Sequence, residues 1–538
     1  MRGALSVLLS ITAASSFVLP VSAQTQTGHQ HAIPRLGTVE FRVECTAAAQ
    51  AEFNTAMALY HSFAWPQAVA AFTAIAHTDP TCGMAHWGHA MSILENPFGW
   101  PATFTSPRLD SVAAALDAAQ AAGLKSKREQ DYVAALGVFV RGHAMKPYPE
   151  RMKVFDAAMA SLMATYPDDT EAKVLSALVT SANFDPTDKN YTNQLNAAAI
   201  LEPLFKEHPN HPGVAHYLIH SYDYPAIAEK GLTAAKAYAA IAPDAPHALH
   251  MPSHIFTRVG YWKESIAANR ESARVSGETV FDGHHATDYM VYAHLQLAQD
   301  AAARQAMAAS KARPAVDNFG AAFAYAAMPA RLLLEAGDWA GAAALQLDPN
   351  KDAYPWQKYP QAEAINAVAR GIGAARSGNA AAARDEQARL LALRDAARAA
   401  QLPYWAGQID TQAALVGALA LCADGRSDVC ITELKAAAVR EDATEKHVVT
   451  PGPLLPAREL LADTLLVVGK PAESLAEYEV VMKKEPNRYR AIAGGMAAAR
   501  AAGDDKRARA LAAELLKLGA ESDTPRDGLR QAKEIAGG

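Results

Sequence analysis

Strand-forming sequence is scarce in this chain. No sustained alternation rich in Val, Ile and Thr occurs in its 538 residues, so a β-sheet core is not expected. Charge is also limited. Charged residues make up 20%, and 50 Lys+Arg stand against 56 Asp+Glu for a net charge of −6. Without a basic excess, neither nucleic acid nor an anionic membrane is an expected partner. Beyond Leu19 no run of about 18 uncharged apolar residues appears, so no membrane insertion is expected once the N-terminal segment is removed. Several catalytic signatures are missing as well. There is no HExxH, no GxSxG elbow, no Gly-rich phosphate loop after a strand and no CxxC metal spacing.

What is present is half apolar and rich in alanine from end to end, which points to an all-α fold. The N-terminus has a different character. Arg2, the apolar stretch from Ala4 to Leu19 and the small residues Val21-Ser22-Ala23 form a secretory signal over residues 1–23, with Gln24 as the first mature residue. Residues 24–38 read as a loose lead-in. Export to a periplasmic or extracellular space makes the four cysteines readable as disulfides. Of the three possible pairings, Cys45–Cys82 and Cys422–Cys430 are the sequence-local one.

Internal repetition gives the architecture. Between Pro456 and Pro486 the sequence reads helix, turn (Gly469-Lys470-Pro471), helix, stop. Ser474, Tyr478 and Pro486 resemble the small, aromatic and proline positions 20, 24 and 32 of the 34-residue tetratricopeptide (TPR) repeat. Thirty-four residues beyond Ser474 lies Ala508, in the next such turn. Near the N-terminus Trp65, Ala68, Phe72 and Asp79-Pro80 follow the same pattern. Each helix pair has an apolar face that it buries only by stacking on a neighbour, so a solenoid of antiparallel helix pairs is expected. The Pro-rich connector Tyr354-Pro355-Trp356 suggests two arrays, residues 39–350 and 351–538.

Ten of the eighteen histidines fall between His208 and His294. His216 and His220 are i,i+4, and Asp223 follows on the same helix face. His250 and His254 repeat the pair 34 residues later, and Pro212 and Pro246 share that offset. With Gly260 at repeat position 15, His247, His250 and His254 occupy positions 2, 5 and 9. In TPR arrays these positions line the groove. A further offset of 34 reaches His284 and Asp288, while a later register favours His285 with Asp288; both remain candidates for the third rung. Imidazoles at i,i+4 on adjacent hairpins suit chelation of Zn²⁺, Cu²⁺, Fe²⁺ or Mn²⁺, either in one site or in two neighbouring ones. Asp223 or Asp288 would serve as ligand, or would hold a histidine tautomer from behind. Glu459 and Asp463, with His447 upstream, would join the groove if the superhelix curls back, and otherwise form a solvated face with a capping loop. Arg331 is placed either to meet a carboxylate or as a surface residue. Histidines packed among helices without a ligand are the plain alternative.

The strings Val214-Ala215-His216-Tyr217-Leu218-Ile219-His220-Ser221-Tyr222-Asp223 and His247-Ala248-Leu249-His250-Met251-Pro252-Ser253-His254 resemble those of a group of exported bacterial TPR proteins. So do Ala286-Thr287-Asp288-Tyr289 and Pro451-Gly452-Pro453-Leu454. The resemblance implies fold and export and carries no reaction. The expected function is that of an exported TPR binding protein. Its groove takes a peptide, protein or small molecule and carries a His/Asp metal site. The alternative is a metal-dependent hydrolase or oxidoreductase built on the same cluster.

Overall fold

A computed structural model describes residues 34–99, 105–185, 187–277 and 281–537, the side chain of Phe281 excepted. The signal segment and most of the lead-in lie outside the described residues. Arg35–Gly538 is one compact unit. Among the described residues the fold is all-α, an array of antiparallel helices from Ala47–His61 to Asp527–Gly537 with no strand. No described helix is long and apolar enough to cross a membrane.

Local sequence sets the helix ends. Ser126 and Glu129 form a capping box at the start of Lys127–Val140. Proline stands in the first turn of Pro212–Tyr222, Pro360–Arg376 and Pro471–Lys484, where a missing N–H costs nothing. His211 caps Pro212–Tyr222 with its own ring, Nδ1 accepting from the Val214 N–H at 3.3 Å. One expected helix is broken. Pro252 cannot donate to the carbonyl a turn behind, so the second histidine pair rides on two short helices, Pro246–His250 and Pro252–Arg258. Met251 between them keeps helical angles (φ −54°, ψ −37°), which leaves His250 and His254 on one face.

Both expected disulfides are present, with Cα–Cα distances of 4.9 Å for Cys45–Cys82 and 5.3 Å for Cys422–Cys430. The division expected near residue 350 differs from the packing. One apolar core runs from Ala321 through Tyr354 and Trp356 to Leu465, because the aromatic residues of the connector are themselves buried in it. The C-terminal helices also return to the middle of the chain. Trp262 Nε1 donates to the Asn487 carbonyl at 2.8 Å, and Ala298 shares a core with Tyr489, Ile492 and Leu511. At this junction Gly260 (φ +71°) faces the Pro486 carbonyl with no space for a Cβ.

Close helix approach depends on small residues. Gly88, inside Gly83–Ile93, lies against the ring of Phe72, which is fully buried. Alanine normally gains about 1 kcal/mol over glycine inside a helix. Here its methyl would enter the Phe72 ring, so Gly88→Ala is expected to destabilise by about 1–3 kcal/mol in chemical denaturation. A stabilised variant would contradict this packing.

Candidate metal centre

Three segments, separated in sequence by the helices Leu232–Ile241 and Trp262–Val275, bring their histidines to one face: Pro212–Tyr222, the pair Pro246–His250 and Pro252–Arg258, and Phe281–Gln296. Two groups of three form there. His216, His220 and His247 make one, and His250, His254 and His285 make the other; the nitrogens of each lie within 4.8 Å of one another. In the first, the Nε2 atoms of His220 and His247 are 3.1 Å and 3.2 Å from Nε2 of His216. In the second, Nε2 of His250 and of His254 are 3.0 Å apart, and the His285 ring sits 4.5 Å from that of His250.

The far side of each ring decides what these nitrogens are. His216 Nδ1 meets the carbonyl oxygen of His61 at 2.7 Å. A carbonyl only accepts, so Nδ1 carries the hydrogen and Nε2 presents a lone pair. His254 Nδ1 donates to Asp223 Oδ2 at 2.9 Å, and His250 Nδ1 to Asn269 Oδ1 at 2.6 Å. The Asn269 amide is fixed because its nitrogen donates to the Ser265 carbonyl at 2.7 Å. Nε2 of His250 and of His254 are therefore two lone pairs aimed at one point. Protonation is not a ready remedy. Burial, followed by the neighbouring imidazoles, holds His216, His220, His247, His250 and His285 well below the usual histidine value. Two nitrogens bound to one ion at about 2.0–2.1 Å stand roughly 3–3.5 Å apart, which is the spacing found here.

Asp223 caps the end of Pro212–Tyr222 and stands behind His254. Burial pushes its carboxyl up, but Lys446, Arg258 and His254 together hold it well below the carboxylate range. Arg258 Nε donates to Oδ1 at 2.8 Å and Lys446 Nζ to Oδ2 at 3.3 Å. Burial and Arg258 in turn lower Lys446 to about 8.

The other expected residues fall elsewhere. Asp288 is not with the histidines; Arg331 Nε donates to its Oδ1 at 3.0 Å, both side chains being buried. Arg331 thus meets a carboxylate, though not that of a ligand. Of the two candidates for the third rung, His285 joins the cluster. His284 turns to Ser310 Oγ (2.8 Å) and the Pro314 carbonyl (3.2 Å). Glu459 is held by Arg488 and Arg490 at 2.7 Å each, and Asp463 by Arg376 and Arg490, both away from the centre. His447 does approach. Its ring packs 5.0 Å from Trp405, and burial, with Lys446 second, takes it down to about 3.

Several residues in the site carried little sequence signal. Asn269 had one: it occupies repeat position 24, where Tyr478 stands in its own repeat, and a buried asparagine there departs from the pattern. His61, Glu171 and Lys446 had none. His61 and His211 donate from Nε2 to the two oxygens of Glu171 at 2.9 and 2.7 Å, and His61 Nδ1 faces the Tyr217 hydroxyl at 2.8 Å. This third group of possible ligands is a closed hydrogen-bond network, since every nitrogen has a complementary partner. Its product is position: it fixes the backbone carbonyl on which His216 hangs.

A segment from the far end of the chain covers the histidines. Lys189 Nζ holds Glu445 at 2.8 Å, Lys446 reaches Asp223, and the Tyr289 hydroxyl reaches the carbonyls of Val448 (2.9 Å) and Thr450 (3.0 Å). Arg331 binds Thr450 Oγ1 at 2.9 Å and the carbonyls of Gly452 and Pro453 at 3.1 Å each. Beside this segment is a cavity of about 250 Å³. Phe98, Phe184, Tyr224 and Trp405 line it, and His220 and Lys446 open onto it.

No protein-family profile and no curated protein matches the chain. Among solved structures it is similar to a Naa15/Naa10 complex bound to HypK-THB, at 13% identity over 91% of this chain and 72% of that one, with a TM-score of 0.25. It is also similar to the TPR domain of P58(IPK), at 11% identity over 91% and 98% of the two chains, with a TM-score of 0.20.

The buried neutral imidazoles fix the sign of an acid response. Their folded values lie below about 6.5, the unfolded value, so the unfolded chain takes up more protons as pH falls through that point. Stability of the metal-free protein is full above about pH 6.5 and declines below it. The slope is up to about 1.4 kcal/mol per pH unit for each such histidine. Thermal unfolding followed from pH 7.5 to 5 should show a steadily falling Tm; a level Tm would contradict the buried, neutral assignment.

Proposed function

We propose that the chain is an exported helical-repeat binding protein whose histidine face carries a transition-metal centre. One observation carries the reading: Nε2 of His250 and of His254 stand 3.0 Å apart as two lone pairs, with both Nδ1 atoms already donating to buried acceptors. Facing lone pairs repel unless something electrophilic lies between them. A closed hydrogen-bond network, as around Glu171, would have spared the protein that cost. Imidazole donors suit Cu, Zn, Fe or Ni, whereas Mn favours carboxylate, which neither triad contains. The two disulfides support export to an oxidising compartment.

The proposed partner is a small molecule ahead of an extended peptide. The chain's own residues 445–453 cover the histidine face, and the cavity that reaches His220 is walled by aromatic side chains. A cavity on a metal ligand also favours the second reading, a metal-dependent enzyme in which His220 faces the bound molecule.

Protein purified without a histidine tag should contain at least one equivalent of metal by elemental analysis. His250→Ala should lower metal content at least twofold with helicity unchanged by circular dichroism. Folded, metal-free protein that takes up no Cu or Zn on titration would overturn the reading.

A further inference from the structure

We propose that the two histidine triads are two separate, adjacent trigonal sites for monovalent copper, so that the chain holds a pair of Cu(I) ions. This rests on the metal-centre reading above and goes beyond it in number, oxidation state and ligand set.

The number follows from geometry. Each triad draws on its own i,i+4 pair and completes it with one histidine from the next segment: His216 and His220 with His247, His250 and His254 with His285. Short contacts between ring nitrogens occur inside the triads, at 3.0–3.2 Å. The rings that face each other across the boundary are farther apart. His220 to His254 and His247 to His250 are both 6.1 Å between centroids, against 4.9 Å for each i,i+4 pair. The sites are therefore neighbours that share no ligand.

The charge follows from what surrounds them. All six donors are neutral imidazoles, and neither triad includes a carboxylate. Asp223, the carboxylate bonded to a ligand histidine, already answers two cations, Arg258 and Lys446. Counting Glu445 and its partner Lys189, three cations face two carboxylates at this edge of the centre before any ion enters. Two divalent ions would add four more positive charges in a buried place, and burying uncompensated charge is costly. Two cuprous ions add half as much. Three neutral nitrogens are a sufficient shell for Cu(I), whereas Zn²⁺ seeks a fourth ligand. Asp282 is the other carboxylate near a ligand, 3.9 Å from His247 Nδ1, on the side of the ring away from Nε2.

The test is anaerobic titration of the full chain with Cu(I), supplied as its acetonitrile complex, in competition with the colorimetric chelator bicinchoninate. Wild type should bind two Cu(I) per chain, and copper-edge X-ray absorption should give about three nitrogen neighbours per ion. His247→Ala and His285→Ala should each drop the count from two to one, with the helical circular dichroism spectrum retained as the control for folding. One Cu(I) per chain, lost in both variants, would mean a single shared centre and overturn the proposal while leaving the metal-centre reading intact. Tight Zn²⁺ binding without Cu(I) binding would likewise overturn only the proposal. Binding neither would remove both.

Discussion

The centre depends on hydrogen bonds made on the side of each ring that faces away from it. A buried imidazole has two nitrogens and one hydrogen. Where an immovable acceptor claims that hydrogen at Nδ1, the lone pair at Nε2 is forced to the other side. The His61 carbonyl, the Asn269 amide and the Asp223 carboxylate act this way on His216, His250 and His254. Each acceptor is itself held. Glu171 fixes His61, Ser265 fixes Asn269, and Arg258 with Lys446 fixes Asp223. Second partners of this kind set both orientation and basicity of a ligand.

The same chemistry separates two histidine groups that look alike by composition. Around Glu171 every donor finds an acceptor, so His61 and His211 form a structural bracket. At His216, His250 and His254 the donor points outward and the lone pair points inward. Counting histidines would rank these groups together, whereas assigning the hydrogens tells them apart.

Much of this was legible in the sequence because the repeat transmits it. An offset of 34 residues between His216/His220 and His250/His254 specifies stacked, in-phase pairs once the fold is a helical array. Both disulfides were legible for a similar reason, each closing a local turn or hairpin. Contacts that cross the array were not legible. Lys446 is 223 residues from Asp223, and His61 is 155 from His216. No local period encodes such a distance. Asp288 was misjudged for the same reason, since its partner Arg331 lies on a later helix and outcompetes the histidines for it. Asn269 left a local trace, a polar residue at a position where Tyr478 is aromatic, that went unread.

Residues 445–453 give the chain an order of assembly. All six imidazoles are synthesised, and would be exported, more than a hundred residues before the strap that encloses them. An emerging chain therefore passes through a stage at which the nitrogens are gathered but still open to the surrounding solution. Closure waits for the last third of the polypeptide. Any ion these nitrogens bind would have its easiest entry in that interval, before Lys446 and Thr450 close over them with Arg331 as the anchor.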